Sequence, residues 1–214
     1  LLVTSAGWRG GYRVAFFIQV SIALVLFLTL PLWKKVGGNE AQEEAPVKVL
    51  SLRELAKIPG VKNMWLLFLT SCGIENATNC WGSTFLVEAK GMAPDQAAKV
   101  MIFYFVGFTL GRLLSGILAT RLSCWKIIRM GMLVMGAAVL LLLLPLPGFA
   151  VVLALFLLGM GNSPLFPNFT YLTPQNFGAD ISQSVIGAQM AASNTGFLAA
   201  PLLCGLLGQI FGMG

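Results

Sequence analysis

The pattern of hydrophobic and polar positions divides the chain into six long apolar segments joined by shorter polar ones. Each apolar segment is long enough to cross a bilayer, whose hydrocarbon core is about 30 Å thick. The segments cover residues 12–33, 64–87, 98–122, 127–144, 149–172 and 185–211. The pattern therefore predicts an all-α integral membrane protein with six transmembrane helices.

One polar segment, residues 34–63, is much longer than the other connections. It opens with lysines and glycines and continues through an acidic patch at 40–44, a composition typical of a flexible linker. Ser51 and Glu54 have the spacing of a capping box. This spacing predicts a short helix that lies on the membrane surface and ends at Gly60.

The composition supports a membrane protein. The chain is 57% hydrophobic and only 10% charged, with a mean hydropathy of +0.83, whereas a soluble domain carries about 25% charged residues. The 14 Lys and Arg residues outnumber the 8 acidic residues, but they cluster at the ends of apolar segments, as membrane topology requires. We therefore expect the lipid bilayer as a partner and no nucleic acid.

The distribution of basic residues predicts the orientation. If all six segments cross the membrane, the linker and the turn between the third and fourth spans lie on one side. That side then holds nine basic residues against four on the other, which places residues 34–63 in the cytoplasm of a cell (plasma or inner) membrane protein. The nine are Lys34, Lys35, Lys48, Arg53, Lys57, Lys62, Arg121, Lys126 and Arg129.

Residues suited to catalysis or metal binding are scarce. The chain has no His, and its four Cys residues form no CxxC pair. We interpret these cysteines as small buried hydrophobic residues. No paired base or metal cluster of the kind that an active site needs is visible, so we predict neither an enzyme nor a cofactor or metal site.

A carboxylate and two amides lie in the second span. Glu75 there costs at least about 2.5 kcal/mol at bilayer depth. Glu75 and Asn79 share one helical face and Asn76 flanks it. This face suits hydrogen bonding to a polyhydroxylated solute, and the alternative is bonding to neighbouring helices.

The fifth and sixth spans also contain polar residues. Two glycines and two prolines lie between residues 159 and 168, which predicts a kinked or broken helix near Asn162. Broken helices are typical of transport sites, although a purely structural kink is the alternative. Gln189 and Asn194 are candidate cavity-lining residues, and interhelical bonding is again the alternative.

The third span has small residues at four-residue intervals, at Gly107, Gly111 and Ser115, which predict close approach of another helix. Arg112 lies in the same span. It can extend to the membrane surface or pair with an acid such as Asp180. We favour a cytoplasmic gate or latch over contact with solute.

The end of this span resembles the second-half copy of the loop motif of major facilitator superfamily transporters, G-x-L-a-D-r-x-G-r-k. Thr120 stands in place of the usual Asp, and Ser123 in place of the second Gly. The positions that match are Gly116, Leu118, Ala119, Arg121 and Lys126.

An ordered set of further motifs is similar to the fucose permease group of this superfamily. It runs from residues 73–75 through Trp81, residues 85–86, 111–112 and 166–168 to residues 177–178. The resemblance implies most of the C-terminal half of a twelve-helix fold, with the six spans as helices six to eleven. Residues 1–33 would then be the last helix of the N-terminal half, 34–63 the linker between the halves, and 64–214 the C-terminal half without its final helix.

The resemblance also implies a function. It predicts a secondary active transporter that moves a small polar solute, such as a sugar, by alternating access and is completed by the N-terminal half of the same chain. Protons are a candidate coupling ion, and Glu75 is one candidate carrier. In the fucose permease group, however, the acids linked to protons lie mainly in the N-terminal half, so a hydrogen bond to solute or to another helix is the favoured role of Glu75. Under it, the second and fifth spans line the central cavity. A drug or lipophile exporter and a non-transporting membrane sensor are the alternatives.

Overall fold

The computed structural model describes residues 2–37, 48–144 and 148–212, with the backbone alone for residues 2–8 and 33–37. The chain divides into two units. The described part of the first is helix α1 (Leu2–Gly37). Every regular element of the described residues is a helix, which confirms the all-α fold class.

The described part of the second unit contains seven helices. The short helix α2 precedes α3, and the long helix α8 ends the described chain. The helices are α2 (Leu52–Leu55), α3 (Val61–Glu88), α4 (Pro94–Ala119), α5 (Cys124–Leu143), α6 (Gly148–Asn162), α7 (Leu165–Phe177) and α8 (Ala179–Phe211).

Five helical segments of the described residues are long and apolar enough to cross a membrane: 9–32, 94–119, 124–143, 148–177 and 179–211. They correspond to five of the six predicted spans and support a multi-pass membrane protein. Helix α3 has 28 residues, but its polar residues lower its mean hydropathy, and it is not among the five. Its crossing stays a prediction.

The predicted break in the fifth span is confirmed. Helix α6 ends at Asn162 and α7 begins at Leu165. Pro164 lies between them and has no N–H group, so it cannot donate to the carbonyl oxygen of Met160. The hydroxyl of Ser163 donates to that oxygen instead, at 3.4 Å.

The predicted capping box and short helix are present, while the linker itself stays a prediction. Ser51 caps α2, and both hydrogen bonds of the capping box are present. The helix is shorter than predicted, and Ala56 to Gly60 form turns that lead into α3. The division between the two units falls within residues 34–63, but the assignment of the units to two halves of a carrier stays a prediction. The acidic patch at 40–44 lies outside the described residues.

Glycines let the helices of the second unit approach closely. In α4, a Cβ atom at Gly107 would meet the carbonyl of Phe156 in α6. A Cβ atom at Gly111 would meet Ser163, which directly follows α6. The predicted groove on α4 is thus occupied by α6. In the same way, Gly196 of α8 lies against the carbonyl of Leu69 in α3. Since lipid removes most of the hydrophobic driving force between helices, such contacts hold the bundle together.

We expect Gly107→Ala to destabilise the protein because its Cβ would overlap the backbone of Phe156. Overpacking of this kind costs about 1–3 kcal/mol. The matched control is Gly136→Ala in α5, where a Cβ would have nothing within 4 Å. Thermal unfolding of the purified full-length protein in detergent measures both, and equal melting temperatures would contradict the packing described here.

Candidate functional site

Two polar residues of α3, Glu75 and Asn79, have side chains that form no hydrogen bond within the described residues. Glu75 is half-buried and Asn79 is exposed. Within the described part of the chain, neither forms a hydrogen bond or an ion pair. Glu75 does interact electrostatically with Arg112 of α4. In the described residues, the hydrogen-bonding groups of both α3 side chains are therefore without a bonded partner.

Asn76 has a structural partner. Pro201 in α8 has no N–H group, which leaves the carbonyl oxygen of Phe197 without its helical donor. The Nδ2 atom of Asn76 donates to this oxygen at 2.5 Å. One turn further along α3, the indole Nε1 of Trp81 donates to the carbonyl of Pro201 at 2.9 Å. Asn76 thus joins α3 to α8, in line with the interhelical alternative.

Asn162 is buried at the end of α6. Its Oδ1 atom accepts a hydrogen bond of 3.0 Å from the hydroxyl of Ser71 in α3. The nearby core of α4 contains Tyr104, which is 1% exposed. Its hydroxyl has no partner at full hydrogen-bond geometry among the described residues, but Asn162 lies close enough to interact with it. Asn162 therefore connects two helices, and Tyr104 offers a buried donor that the sequence pattern did not reveal.

The two predicted residues of α8 have different surroundings. Gln189 is fully buried, and its amide exchanges hydrogen bonds with the hydroxyl of Thr173 in α7 at 3.0 and 3.2 Å. It therefore favours the interhelical alternative. Asn194 is exposed and forms no hydrogen bond within the described residues. Asn194 remains a candidate for solute contact.

The expected partner of Arg112 is not Asp180. Asp180 pairs with Lys48 instead, at 3.4 Å, because residue 48 lies against the first turn of α8. The guanidinium of Arg112 lies 4.6 Å from the ring centroid of Phe108. In the part of the chain that the structure describes, Arg112 forms no ion pair.

Arg112 lies in the wall of a cavity of about 960 Å³ between α4, the start of α5 and α7. Asn168 lies at the back of this cavity and is buried. Its Nδ2 atom donates to the hydroxyl of Ser115 at 2.9 Å and to the carbonyl of Pro164 at 2.7 Å. The lining includes Arg112, Ser115, Trp125, Phe166, Asn168 and Tyr171.

The loop-motif residues surround the same cavity. Gly116 lines it, and a Cβ atom there would have nothing within 4 Å. Arg121 and Lys126 lie in and just after the turn between α4 and α5, next to the lining residues Leu122 and Trp125. These positions place the motif at the cavity mouth, while its gating role stays a prediction.

The part of the chain that forms the cavity carries basic residues but no acidic ones. The sequence contains no acidic residue between Asp95 and Asp180, but it contains five basic residues in that interval. Such a cavity attracts anions. A group of three or more acidic or Cys residues that could hold a metal ion is absent from the described residues.

The sequence reasoning missed most of the cavity lining. It named Asn168 only as a weaker candidate than Asn162, and it did not name Tyr171, Leu172 or Gln175. These four residues follow the i, i+3, i+4, i+7 spacing of one helical face and all line the cavity. This periodicity was readable in the sequence, but the prolines drew attention to the break instead. Trp125 gave no signal, because one aromatic residue near a turn is common at membrane interfaces.

Residues 1–212 match the Major Facilitator Superfamily. The chain belongs to this superfamily. It is 27% identical to the 3-(3-hydroxy-phenyl)propionate transporter of Escherichia coli over 210 residues, which cover 94% of this chain and 50% of that protein. It is 25% identical to the cis,cis-muconate transport protein of Acinetobacter baylyi, with coverage of 100% and 54%. No solved structure matches.

The match confirms the resemblance at the level of the superfamily. The described helices agree with part of the fold of this superfamily, and membership indicates a transporter rather than an enzyme. The likeness to the fucose permease group is not confirmed, because neither relative is named for a sugar. The chain spans about half the length of the curated relatives it matches.

We expect Asn76→Val to destabilise the protein by about 1–3 kcal/mol, because it leaves the carbonyl of Phe197 unsatisfied. In a Pro201→Ala background, residue 201 regains its N–H group and can donate to that carbonyl. The same Asn76→Val change should then cost much less. Thermal unfolding of the four variants forms a double-mutant cycle. Equal losses in both backgrounds would show that Asn76 does not act through Phe197.

Proposed function

We propose that the full protein transports a small organic anion with a carboxylate group, by alternating access between its two halves. The observation that carries this proposal is Arg112, a cation without an ion-pair partner in the described residues, in the wall of a cavity of about 960 Å³. Such a volume lies near the upper end of small-molecule sites, which are about 300–1,000 Å³.

The chemistry of Arg112 suits a carboxylate. A guanidinium presents a planar fork of donors that can bind both carboxylate oxygens at once. The ring of Phe108 lies against one face of the guanidinium, which limits its rotation and keeps its edge available. Because no acid lies between Asp95 and Asp180 in the sequence, the helices α4, α5 and α7 that line the cavity add no acidic side chain to repel an incoming anion.

The relatives support the same chemical class. Both are named for carboxylic acids, 3-(3-hydroxyphenyl)propionate and cis,cis-muconate. The side chains of Trp125, Phe166 and Tyr171 supply apolar walls for the carbon skeleton of such a solute. A carboxylate is therefore better supported than the sugar that the sequence predicts.

A sugar or other neutral polar solute is the second candidate. Glu75, Asn79 and Asn194 have side chains without hydrogen bonds in the described residues, and such groups can bind hydroxyl groups. Asn76, Asn162 and Gln189 are already bonded to neighbouring helices. We propose the three uncommitted residues as solute contacts and assign the bonded three to the support of the site.

Proton coupling belongs to the same proposal. A solute carboxylate at Arg112 would compete with Glu75 for one positive charge, since Glu75 already interacts with Arg112. A proton that travels with the solute and binds to the Glu75 carboxylate would remove this competition. We further propose a plasma or inner membrane location, with residues 34–63 on the cytoplasmic side as the positive-inside rule predicts.

Uptake by the full-length protein in proteoliposomes tests the solute class. We expect uptake of labelled 3-(3-hydroxyphenyl)propionate or muconate, with fucose as the neutral comparison. Arg112→Gln should raise KM about 10–100-fold, because it removes a charge-assisted contact, and Arg112→Lys should have a smaller effect.

The matched control is Arg129→Gln, since Arg129 is exposed on α5 and does not line the cavity. It should leave KM unchanged. Uptake of fucose without uptake of either acid would refute the anion proposal and favour the second candidate.

Glu75→Gln tests the coupling. We expect this variant to keep solute exchange at equal pH but to lose uphill uptake driven by a pH gradient, because an amide cannot carry the proton. Glu88→Gln is the control on the same helix, as Glu88 is exposed near the end of α3. If Glu75→Gln keeps a full pH-driven response, Glu75 is not the proton carrier.

A further inference from the structure

Residues 48–60, called the strap here, lie across the start of α8. The backbone N–H of Lys48 donates to the carbonyl of Asp180 at 3.0 Å. The hydroxyl of Ser184 accepts from the N–H of Leu50 at 3.1 Å and donates to the carbonyl of Lys48 at 3.0 Å. The side chains of Lys48 and Asp180 add an ion pair of 3.4 Å. The strap is thus bonded along the first turn of α8.

An apolar contact anchors the middle of the strap. Leu55 is 1% exposed and packs in one cluster with Val61 of α3 and with Val185 and Ala188 of α8. Helix α2 has only four residues, too few to be stable alone. It exists because Leu55 is docked and because its first turn is capped.

The cap of α2 depends on the charge of Glu54. The backbone N–H and the hydroxyl of Ser51 both donate to its carboxylate, at 2.8 and 2.7 Å. These bonds lower the pKa of Glu54. A lowered pKa in the folded state means that the cap contributes at neutral pH and is lost only as the pH falls through that pKa.

The apolar cluster that contains Leu55 extends to the corner between α7 and α8. Helix α7 ends at Phe177, and Gly178 turns the chain with a φ of +90°. The side chain of Phe177 packs against this cluster. The strap and the last residue of α7 therefore belong to one packed apolar unit.

Helix α7 forms one wall of the cavity. Tyr171, Gln175 and Asn176 of its last two turns line it. A movement of the corner at Phe177 therefore moves this wall relative to α4 and the start of α5. The strap restrains this corner because it is hydrogen-bonded to Ser184 of α8 and because its Leu55 packs with Val61 of α3.

We propose that the strap is a conformational latch that holds the corner between α7 and α8 against α3 and so limits the opening of the cavity between α4, α5 and α7. The latch goes beyond the proposed function and does not depend on the identity of the solute. Release of the strap frees the cavity wall, and docking of the strap restrains it. The exposed ion pair contributes little to docking, whereas Leu55 and Ser184 carry most of it.

Cys124 reports the opening directly, because it lines the cavity and is partly buried. The experiment uses the full-length protein with every cysteine except Cys124 changed to Ala, and measures the rate at which a maleimide labels Cys124. If labelling needs transient opening, its rate follows the population of the open state.

We expect Leu55→Ala to raise the labelling rate at least about tenfold, as deletion of a buried Leu side chain is costly. Ser184→Ala, which removes two strap bonds without a change to the core, should raise it about fivefold. Leu52→Ala is the matched control, since Leu52 lies in the same short helix but is 60% exposed. It should leave the rate unchanged.

Labelling of Leu55→Ala and Ser184→Ala at the rate of the parent protein would overturn the proposal. If Leu55→Ala does not fold, the Ser184→Ala result alone decides. An equal rise in Leu52→Ala would also overturn it, because the effect would then not come from docking of the strap. Failure of anion uptake would leave these rates unaffected, so the two proposals fail separately.

Discussion

A carbonyl group freed by a proline inside a membrane span must find another donor, because the hydrocarbon contains no water to supply one. The structure meets this requirement with side chains. Asn76 of α3 donates to the carbonyl that Pro201 frees in α8, and Ser163 donates to the one that Pro164 frees in α6. Each kink is thereby tied to a specific polar residue.

This requirement sorts the polar residues of the spans into two groups. Asn76, Asn162 and Gln189 bond to other helices or to freed backbone groups, so their removal acts first on stability. Glu75 and Arg112 form no such bonds in the described residues. Charged groups in a membrane span are costly, and the interactions of Arg112 with the ring of Phe108 and with Glu75 offset part of that cost.

Some features of the fold were readable from local patterns. The capping box at Ser51 depends on residues three positions apart, and the break near Pro164 depends on the absence of an N–H group, so both follow from the sequence alone. The small residues at Gly107 and Gly111 likewise predicted close approach, since only a missing side chain admits another backbone.

Other features depend on contacts between distant residues and could not be read locally. The role of Asn76 requires Pro201, which is far away in the sequence and becomes a neighbour only because α3 packs along α8. Of the two alternatives offered for Arg112, the pairing with Asp180 does not occur, because Lys48 pairs with Asp180 instead. The lack of acids between residues 95 and 180 was visible in the sequence, but only the basic residues of that interval were interpreted, as a signal of topology.

The contacts of α7 determine where this part of the molecule can move. At its end, Phe177 packs against the apolar cluster that contains Leu55 of the strap, and near its middle Thr173 is bonded to Gln189 of α8. At its start, Pro164 interrupts the helical hydrogen bonds with α6. Helix α7 is therefore more firmly joined to α8 than to α6, although α6 and α7 were predicted as one span. Because α8 is itself bonded to α3 through Asn76 and Trp81, the break near Pro164 is the point at which α7 can change its direction relative to α6.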